Sequence, residues 1–525
     1  MRLALMVMAG LPTLVMSCTP APREARAPVD QHVRVDTGRL EGVAGAYGTL
    51  AFLGIPYAAP PTGEHRWKPP RPAPSWEGVR VAGALGPSCP QLDRAEKIRK
   101  VVVTALGGDV AALPPQGPKG FGPTSEDCLS LNVFAPASPA TEKRPVMVWI
   151  HGGSFAYERG GEEAASLVRH GVVVVTFNYR LGLLGFLAHP ALTKESPHHA
   201  SGNYGLLDQI EALRWVRRNI ATFGGDPSRV TVFGHSAGGD SVLMLAASPE
   251  ARGLFQRAIA QSSSLGESQP LAAAEKEGMT IAESLGASSS DPLRALRAAS
   301  VERLLAAQSG GVEPTTDGWM LPKPIAEALA EGASDGVPLI VGATAKEWSI
   351  FAIHSPPAKD RPAFRDLVRK ASESHADRLL ALYPAPRDED VPAASIRYLS
   401  DWDFVCPARY VARKRRAHTW LYVASAPASA GESGARYGAF HGSDVRMLFH
   451  DEMGIPLGES AQRTGDAMQR YWTRFARSGD PNEPGLPAWP IYEGKYLDLG
   501  DPIRVRGDDD RAGCRIFDEV AGRHL

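Results

Sequence analysis

Short runs of consecutive apolar residues recur along the chain and are bounded by glycine, proline or charged residues. Five of these runs predict strands, at 147–150, 172–177, 230–233, 339–341 and 420–423. They do not alternate between apolar and polar positions, which is typical of parallel strands covered by helices on both faces. The pattern therefore predicts an α/β protein with a mostly parallel central sheet flanked by helices.

A segment with a different period separates the second run from the third. Its apolar positions recur every three or four residues and predict an amphipathic helix over 206–220, whose apolar face is formed by Leu206, Ile210, Leu213, Val216 and Ile220. The two glycines and the proline within 224–227 should end this helix. The order strand, helix, strand indicates a βαβ unit, and ligands of such sheets bind beyond the carboxyl ends of the strands.

The first residues predict export. Met1-Arg2 precedes an apolar segment that ends at residue 16 and is too short to cross a bilayer, so we interpret 1–17 as a signal peptide. Cys18 follows a sequence that resembles a bacterial lipobox, which predicts a lipid-anchored protein of the cell envelope. The alternative is secretion after cleavage at Ala27, which Pro28 would hinder. Residues 18–31 are then a flexible linker and 32–525 the folded domain.

Composition and charge exclude several classes of partner. Hydrophobic residues make up 43% of the chain, charged residues 22%, and the formal net charge is −1. This balance is ordinary for a soluble globular protein and gives no overall field that favours nucleic acid or an anionic membrane. The basic cluster 413–416 is expected on a solvated helix face. Residues 91–124, of mixed charge and rich in proline and glycine, resemble a mobile lid more than core.

Five cysteines add a second argument for export: Cys18, Cys89, Cys128, Cys406 and Cys514. If Cys18 carries lipid, the other four allow three disulfide pairings, and disulfides persist outside the cytosol. No spacing of cysteine or histidine indicates a metal site. We expect neither a metal nor an organic cofactor.

The pentapeptide Gly234-His-Ser-Ala-Gly238 follows the third predicted strand and precedes an apolar helical segment. In a tight strand-to-helix turn, side chains two residues either side of Ser236 would collide with backbone, which explains both glycines. Such a turn exposes the serine hydroxyl and aims a helix N-terminus at charge that develops there. The alternative, an ordinary loop of glycine and serine, has to be weighed against the rest of the chain.

An oxyanion-binding loop is the second candidate. His151-Gly-Gly-Ser-Phe155 directly follows the strand predicted at 147–150. Loops of this type offer backbone N–H groups beside a nucleophile turn, and the N–H of Ala237 would join them. A simple tight turn is the alternative, which the position after a buried strand and upstream of Ser236 disfavours.

A serine nucleophile needs a base and an orienting acid, which follow it in the order acid, then histidine, in this type of chain. Among the fourteen histidines, His441 fits best because it lies on a glycine-containing loop after the last predicted strand. His418 and His450 flank the same region and are weaker candidates. For the acid, the pattern favours Glu347, at the end of another strand, and leaves Asp317 and Asp403 open.

Long motifs show what the chain resembles. These are FLGIPYAAPP at Phe52, SEDCLSLNV at Ser125, VVVVTFNYRLGLLGFL at Val172, GNYGLLDQ at Gly202, FGGDPSRVTVFGHSAGG at Phe223 and YWTRFARSGDPN at Tyr471. From about residue 32 to the C-terminus the chain resembles the type-B carboxylesterases, a family with the α/β-hydrolase fold and large loop insertions that includes bacterial esterases and cholinesterases.

The resemblance implies a set of functional residues. It implies Ser236 as nucleophile, Glu347 rather than Asp317 or Asp403 as acid, and His441 as base. It also implies oxyanion donors and two disulfides, carried by Gly153, Ser154 and Ala237 and by the pairs Cys89–Cys128 and Cys406–Cys514.

Three departures from the family pattern affect specificity. His235 stands where the family usually has glutamate or glutamine, which changes the electrostatics of the pocket. The oxyanion loop ends in Ser154 instead of a third glycine, and its N–H can still donate. No tryptophan lies between Cys89 and Cys128, which argues against a choline-ester specialist.

The expected function is hydrolysis of a small-molecule carboxylic ester through an acyl-enzyme. Three alternatives remain: a non-catalytic surface-binding member of the same fold, an amidase that uses the same triad, and an esterase specialised for one kind of ester.

Overall fold

A large mixed sheet runs through the centre of the computed structural model, which describes residues 31–92, 95–108, 110, 123–137, 142–266, 268–287, 291–415, 418–450, 455–508 and 513–523. Its strands and those of two small sheets are β1 (His32–Val35), β2 (Gly38–Glu41), β3 (Val43–Ala44), β4 (Thr49–Pro56), β5 (Val79–Val81), β6 (Ser130–Pro136), β7 (Arg144–Ile150), β8 (Val173–Phe177), β9 (Gly225–His235), β10 (Arg257–Gln261), β11 (Gln269–Pro270), β12 (Thr315–Thr316), β13 (Leu339–Thr344), β14 (Thr419–Ala424), β15 (Lys495–Leu499) and β16 (Arg504–Gly507).

Helices cover both faces of this sheet. In the described part of the chain they are α1 (Ala95–Ala105), α2 (Ala165–Val168), α3 (Gly182–Phe186), α4 (Pro190–Glu195), α5 (Tyr204–Asn219), α6 (Ala237–Ala247), α7 (Leu271–Ser284), α8 (Pro292–Ala298), α9 (Val301–Ala307), α10 (Ile325–Ala330), α11 (Arg361–Ala371), α12 (Ala376–Leu382), α13 (Val391–Ser400), α14 (Cys406–Lys414), α15 (Gly431–Tyr437), α16 (Ser443–Phe449), α17 (Glu459–Ser478) and α18 (Gly513–Val520).

The eleven described strands of the large sheet are ordered β16-β15-β14-β13-β10-β9-β7-β8-β6-β4-β3. Neighbours from β15 to β8 are parallel, while β16 at one edge and β6, β4 and β3 at the other are antiparallel. Each of the five apolar runs coincides with a strand of this sheet, and the predicted fold class is confirmed. β9 is longer than its apolar run because the preceding Gly225 already pairs with Arg144 of β7.

Two hydrophobic clusters explain why the strand sequences do not alternate. In β7, Val146, Val148 and Ile150 pack into one cluster, whereas Met147 and Trp149 pack into a second cluster on the opposite face. Successive side chains of a strand point to opposite faces, so both faces of this sheet must be apolar.

The predicted amphipathic helix is confirmed as α5. Ile210, Leu213 and Val216 on its apolar face are fully buried. The helix ends at Asn219 and continues into a 3₁₀ turn, Ile220–Phe223. Gly224 then terminates the turn with φ +80°, a conformation that glycine adopts without steric cost.

Two disulfides lie in the structure. One joins Cys89 to Cys128 and the other joins Cys406 to Cys514, and the Cα atoms of each pair are 5.0 Å apart. The second disulfide connects α14 to α18. The predicted signal peptide 1–17, the lipidation site Cys18 and all but the last residue of the linker 18–31 lie outside the described residues. No helix in the described ranges is long and apolar enough to cross a membrane.

Two smaller expectations are wrong. Arg415, expected on a solvated helix face, is buried, donates hydrogen bonds to Ser334 Oγ and the Val337 carbonyl, and has its pKa lowered to about 10 by that burial. The described part of 91–124 is not all outside the core, because Val103 and Leu106 are buried in a small apolar cluster with Phe440. Most of 109–122 lies outside the described residues.

Candidate active site

The turn between β9 and α6 holds Ser236 in a strained conformation. Its φ of 58° and ψ of −127° fall in a region that residues with a Cβ rarely adopt. A Cβ at Gly234 would lie 2.5 Å from the Gly238 carbonyl oxygen, and a Cβ at Gly238 would lie 2.1 Å from that of Ile150. Both glycines are therefore required by close backbone contacts, as the sequence predicts.

The loop after β7 lies against this turn. A Cβ at Gly152 would come within 2.7 Å of the His235 carbonyl oxygen, so the two backbones are in contact. Gly153 and Ser154 both have positive φ, of 93° and 51°. Ala237 is the first residue of α6, and its side of the turn faces the same cavity as Ser154 and Ser236. The structure thus brings the three predicted oxyanion residues to the serine.

Glu347 follows β13 and is fully buried. Its Oε1 accepts hydrogen bonds from Ser262 Oγ at 2.7 Å and from the Thr344 N–H at 2.6 Å. Its Oε2 lies 2.5 Å from Nδ1 of His441. The His441 N–H also donates to the Glu347 carbonyl at 3.2 Å. A carboxylate fixed in this way selects the imidazole tautomer that carries its proton on Nδ1 and leaves Nε2 free to accept a proton.

The two other acids have different surroundings. Asp317 accepts hydrogen bonds from Asn203 and from the N–H groups of Trp319 and Leu321. Asp403 accepts a hydrogen bond from Trp348 Nε1 at 2.6 Å and lines the cavity of Ser236. Burial raises the pKa of Asp403 to about 6, and the nearby His441 opposes that shift. Asp403 therefore borders the site without replacing Glu347 at Nδ1.

Three other histidines considered from the sequence, His418, His450 and His151, have partners other than Glu347. His418 packs edge-on against Trp420, and His450 Nε2 lies 3.6 Å from Asp466. His151 is buried and stacks on Tyr179 at 4.4 Å between ring centroids, as expected of a packing residue.

Aromatic rings surround the His441 imidazole. The ring centroids of His235, Phe404 and Phe351 lie 4.4, 4.6 and 5.2 Å from that of His441. These contacts confine the imidazole between the nucleophile turn and a wall of the cavity.

Sequence reasoning missed three polar residues of the site. Ser262 Oγ donates a hydrogen bond to Glu347. The Ser236 N–H donates to the Gln261 carbonyl. Gln261 Nε2 in turn donates to Asp444 of α16 at 3.0 Å. Gln261 ends β10, a parallel strand next to β9, and Ser262 directly follows it. The available signal was that polar residues at the carboxyl end of a buried strand lie next to the site.

The cavity above Ser236 has a volume of about 1,320 Å³. Among the described side chains that line it, Asp240, Glu313, Glu327, Glu331 and Asp403 are acidic, against the single guanidinium of Arg523. Burial raises the pKa of Asp240, which is held by hydrogen bonds from Ser263 and Ser264. In the ranges that the structure describes, no cluster of three or more histidine, cysteine, aspartate and glutamate side chains could hold a metal ion.

Comparisons with known proteins agree with this geometry. Residues 29–516 match the model of the carboxylesterase family. The chain is 34% identical over 524 residues to fumonisin B1 esterase of Sphingopyxis macrogoltabida, covering 94% of this chain and 90% of that protein. It is 35% identical over 510 residues to para-nitrobenzyl esterase of Bacillus subtilis (strain 168), covering 91% and 97%.

Solved structures give the same result. A para-nitrobenzyl esterase superposes with a TM-score of 0.78 and 31% identity, over 93% of this chain and 99% of that one. A carboxylesterase of Geobacillus stearothermophilus superposes with a TM-score of 0.77 and 30% identity over the same shares. The fold is thus the α/β-hydrolase fold of these esterases, and the chain belongs to the carboxylesterase family of carboxylic ester hydrolases.

Proposed function

We propose that Ser236, His441 and Glu347 form the catalytic triad of this esterase, and that the reaction passes through an acyl-enzyme. The observation that carries the proposal is the 2.5 Å contact between Glu347 Oε2 and His441 Nδ1, beside a serine in a strained strand-to-helix turn. A histidine oriented by a buried carboxylate can take the proton of a serine hydroxyl, which is otherwise a weak nucleophile.

Acylation begins when Ser236 Oγ attacks the ester carbonyl carbon and His441 Nε2 takes the hydroxyl proton. Glu347 stabilises the imidazolium that forms. The negative charge on the carbonyl oxygen is held by the N–H groups of Gly153, Ser154 and Ala237, and removing one such donor typically costs about 3–4 kcal/mol. The carbon–oxygen bond to the alcohol then breaks, and the alcohol leaves with the proton from His441.

Deacylation repeats the same proton transfers with water. His441 takes a proton from water while the water oxygen attacks the acyl carbon. The second tetrahedral intermediate collapses, Ser236 regains its proton from His441, and the carboxylic acid is released. In this proposal, His441 transfers the protons in both half-reactions, and backbone N–H groups hold both oxyanions.

The substrate class that we propose is a small-molecule carboxylic ester. Relatives of this chain include a para-nitrobenzyl esterase and a fumonisin B1 esterase. The cavity of about 1,320 Å³ is large enough for a drug-sized ligand. Amide hydrolysis by the same triad is the second candidate. Turnover of a 4-nitroanilide comparable to that of the matching 4-nitrophenyl ester would favour an amidase.

We also propose that the mature protein is exported and carries lipid on Cys18, with 32–525 as the catalytic domain. The lipobox-like sequence after the apolar segment supports this proposal. Expression of the full chain in a bacterium fed radiolabelled palmitate should label the wild type and not Cys18→Ala. Equal labelling of both proteins, or none of the wild type, would contradict the lipid anchor.

The test of the triad is hydrolysis of 4-nitrophenyl acetate, butyrate and octanoate by the protein without its signal peptide. Ser236→Ala should lower kcat/KM by about 10⁴-fold or more while the protein stays folded by circular dichroism. Ser284→Ala, at the exposed end of α7, is the matched control and should behave like the wild type. Retained activity in Ser236→Ala would overturn the assignment.

A further inference from the structure

A second imidazole–carboxylate pair lies directly behind the proposed general base. His235 precedes Ser236, and its ring centroid is 4.4 Å from that of His441. Nε2 of His235 lies 4.0 Å from Oδ1 of Asp444. The side chain of His235 is 12% exposed and that of Asp444 is fully buried, so this pair is largely shielded from solvent.

Asp444 is fixed by three donors. Its Oδ2 accepts hydrogen bonds from Gln261 Nε2 at 3.0 Å and from the Tyr422 hydroxyl at 2.8 Å. Its Oδ1 accepts one from the Val445 N–H at 2.9 Å. Burial and the charge of Glu347 raise the pKa of Asp444, and the donors oppose that shift. In all three contacts an oxygen of Asp444 is the acceptor, so the carboxyl group is held in one orientation.

This network connects the nucleophile to the loop of the base. Gln261, which binds Asp444 through its side chain, also accepts the N–H of Ser236 through its carbonyl. Asp444 follows His441 by three residues on α16. A Cβ at Gly442 would lie 3.6 Å from Cε1 of His235, so the His441 loop packs against the His235 ring. His235 therefore packs against His441 and Gly442 beside the nucleophile turn.

On these contacts, and resting on the triad proposed above, we propose that His235 is a positioning residue for His441 whose own protonation suppresses catalysis. The neutral His235 ring packs against His441 and holds its orientation. A protonated His235 places a positive charge against the ring that must itself become an imidazolium in the transition state. Like charges at this distance disfavour that second protonation, so His441 becomes a weaker base.

Four titratable groups, Asp444, Glu347, Tyr422 and Asp403, lie around the two imidazoles of His235 and His441. Asp444 lies beside His235 and Glu347 beside His441, and the two imidazole rings lie against each other. The Tyr422 hydroxyl donates to Asp444, and burial raises its pKa, so it stays protonated. Burial raises the pKa of Asp403, near His441, to about 6, so Asp403 also titrates within the pH range of the experiment. An experiment must separate it from His235.

The test is the pH dependence of kcat/KM for 4-nitrophenyl butyrate between pH 4.5 and 9. Two imidazoles that must both be neutral give a wild-type acid limb whose logarithmic slope is about 1 where one of them is protonated and about 2 at lower pH, where both are. His235→Gln, which keeps a polar side chain and cannot gain a positive charge, should show a slope of about 1 and retain at least about a tenth of the alkaline plateau. Asp403→Asn is the matched control, and its slope should stay about 2.

Asp444→Asn gives an independent result. Removing the carboxylate of Asp444 disfavours the protonated form of His235. The ionisation of His235 in the acid limb should therefore move to lower pH. A wild-type slope that stays about 1 down to pH 4.5, a slope of about 2 at low pH in His235→Gln, or a loss of slope in Asp403→Asn alone would each overturn the proposal. Equal loss of activity at every pH in His235→Gln would also overturn it, because His235 would then act by packing alone. Failure of the triad itself is separate, because it would appear as activity in Ser236→Ala.

Discussion

At the scale of single residues, the site depends on backbone positions that tolerate no added atom. Gly234 and Gly238 flank Ser236, and any Cβ at either position meets a carbonyl oxygen at 2.5 Å or less. These oxygens belong to backbone held in α6 and in β7, so they cannot move aside as the end of a side chain can. The nucleophile turn is therefore defined by sterics before any catalytic group is considered.

Gly238→Ala should disrupt the turn even though it adds one methyl group. We expect a loss of unfolding free energy of about 1–3 kcal/mol or more, as for other overpacked sites, together with most of the esterase activity. Urea denaturation and kcat/KM measure the two effects. Gly336→Ala, where an added Cβ meets no atom within 4 Å, is the control. Wild-type activity in Gly238→Ala would contradict this prediction, because the turn would then accommodate a Cβ beside the Ile150 carbonyl oxygen.

Asp403 gives a pH-dependent prediction at the same scale. Its pKa is raised from 3.8 to about 6 by burial, so the fold disfavours the ionised form. The resulting loss of stability is present above pH 6 and disappears below pH 4, where the carboxyl is protonated in both states. Asp403→Asn should therefore raise the unfolding temperature at pH 8 and leave it unchanged at pH 3.5. An equal increase at both pH values would show that the change in stability does not come from the ionised form of Asp403.

At the scale of elements, sequence and structure agree best where the pattern has one physical cause. The strand runs were predictable because a sheet covered on both faces needs apolar residues at every position, as in β7. The helix α1 was not predictable in the same way. Its residues belong to a segment of mixed charge that is rich in proline and glycine, and Val103 and Leu106 are buried by tertiary packing in a cluster that includes Phe440 and Ile350.

These contacts connect α1 to the base. Phe440 precedes His441, and Ile350 follows Glu347 by three residues. Leu106→Ala should cost about 2–5 kcal/mol of unfolding free energy and lower kcat, because the cavity it leaves loosens the packing of the His441 loop. Thermal denaturation and steady-state kinetics test both. Ile98→Ala, in α1 but 45% exposed, is the control, and equal effects of the two variants would contradict the packing argument.

The polar partners of the triad were beyond prediction for a different reason. Ser262, Gln261 and Asp444 are separated from Glu347 and Ser236 along the chain and meet only because β9, β10 and β13 are adjacent and parallel. The chain order of serine, acid and histidine could be read directly. The hydrogen bonds that hold Glu347 depend on strand register, which no local pattern specifies.

At the scale of the whole molecule, the disulfide between Cys406 and Cys514 closes a segment of the chain that contains His441. Both cysteines are buried in an apolar cluster with Tyr398 and Phe517. The chain-entropy model attributes stabilisation to the restricted unfolded state, and removal of a native disulfide costs about 2–5 kcal/mol.

The double variant Cys406→Ala/Cys514→Ala should lose about 2–5 kcal/mol of unfolding free energy, which urea denaturation would show as a lower midpoint. A reductant should bring the wild type towards the same midpoint, and should affect the double variant only through the remaining disulfide, Cys89–Cys128. A double variant as stable as the oxidised wild type would show that the bond adds nothing to the packing of α14 and α18.

The positive φ of Ser236 has a consequence for natural selection as well as for chemistry. A residue with a Cβ in this conformation makes the native state less stable than glycine would. Ser236→Gly should therefore unfold at a higher temperature than the wild type while losing all nucleophilic activity, whereas Ser236→Ala keeps the strain. At this one position the chain has been selected for reactivity against its own stability, and a screen for stability alone would remove the nucleophile.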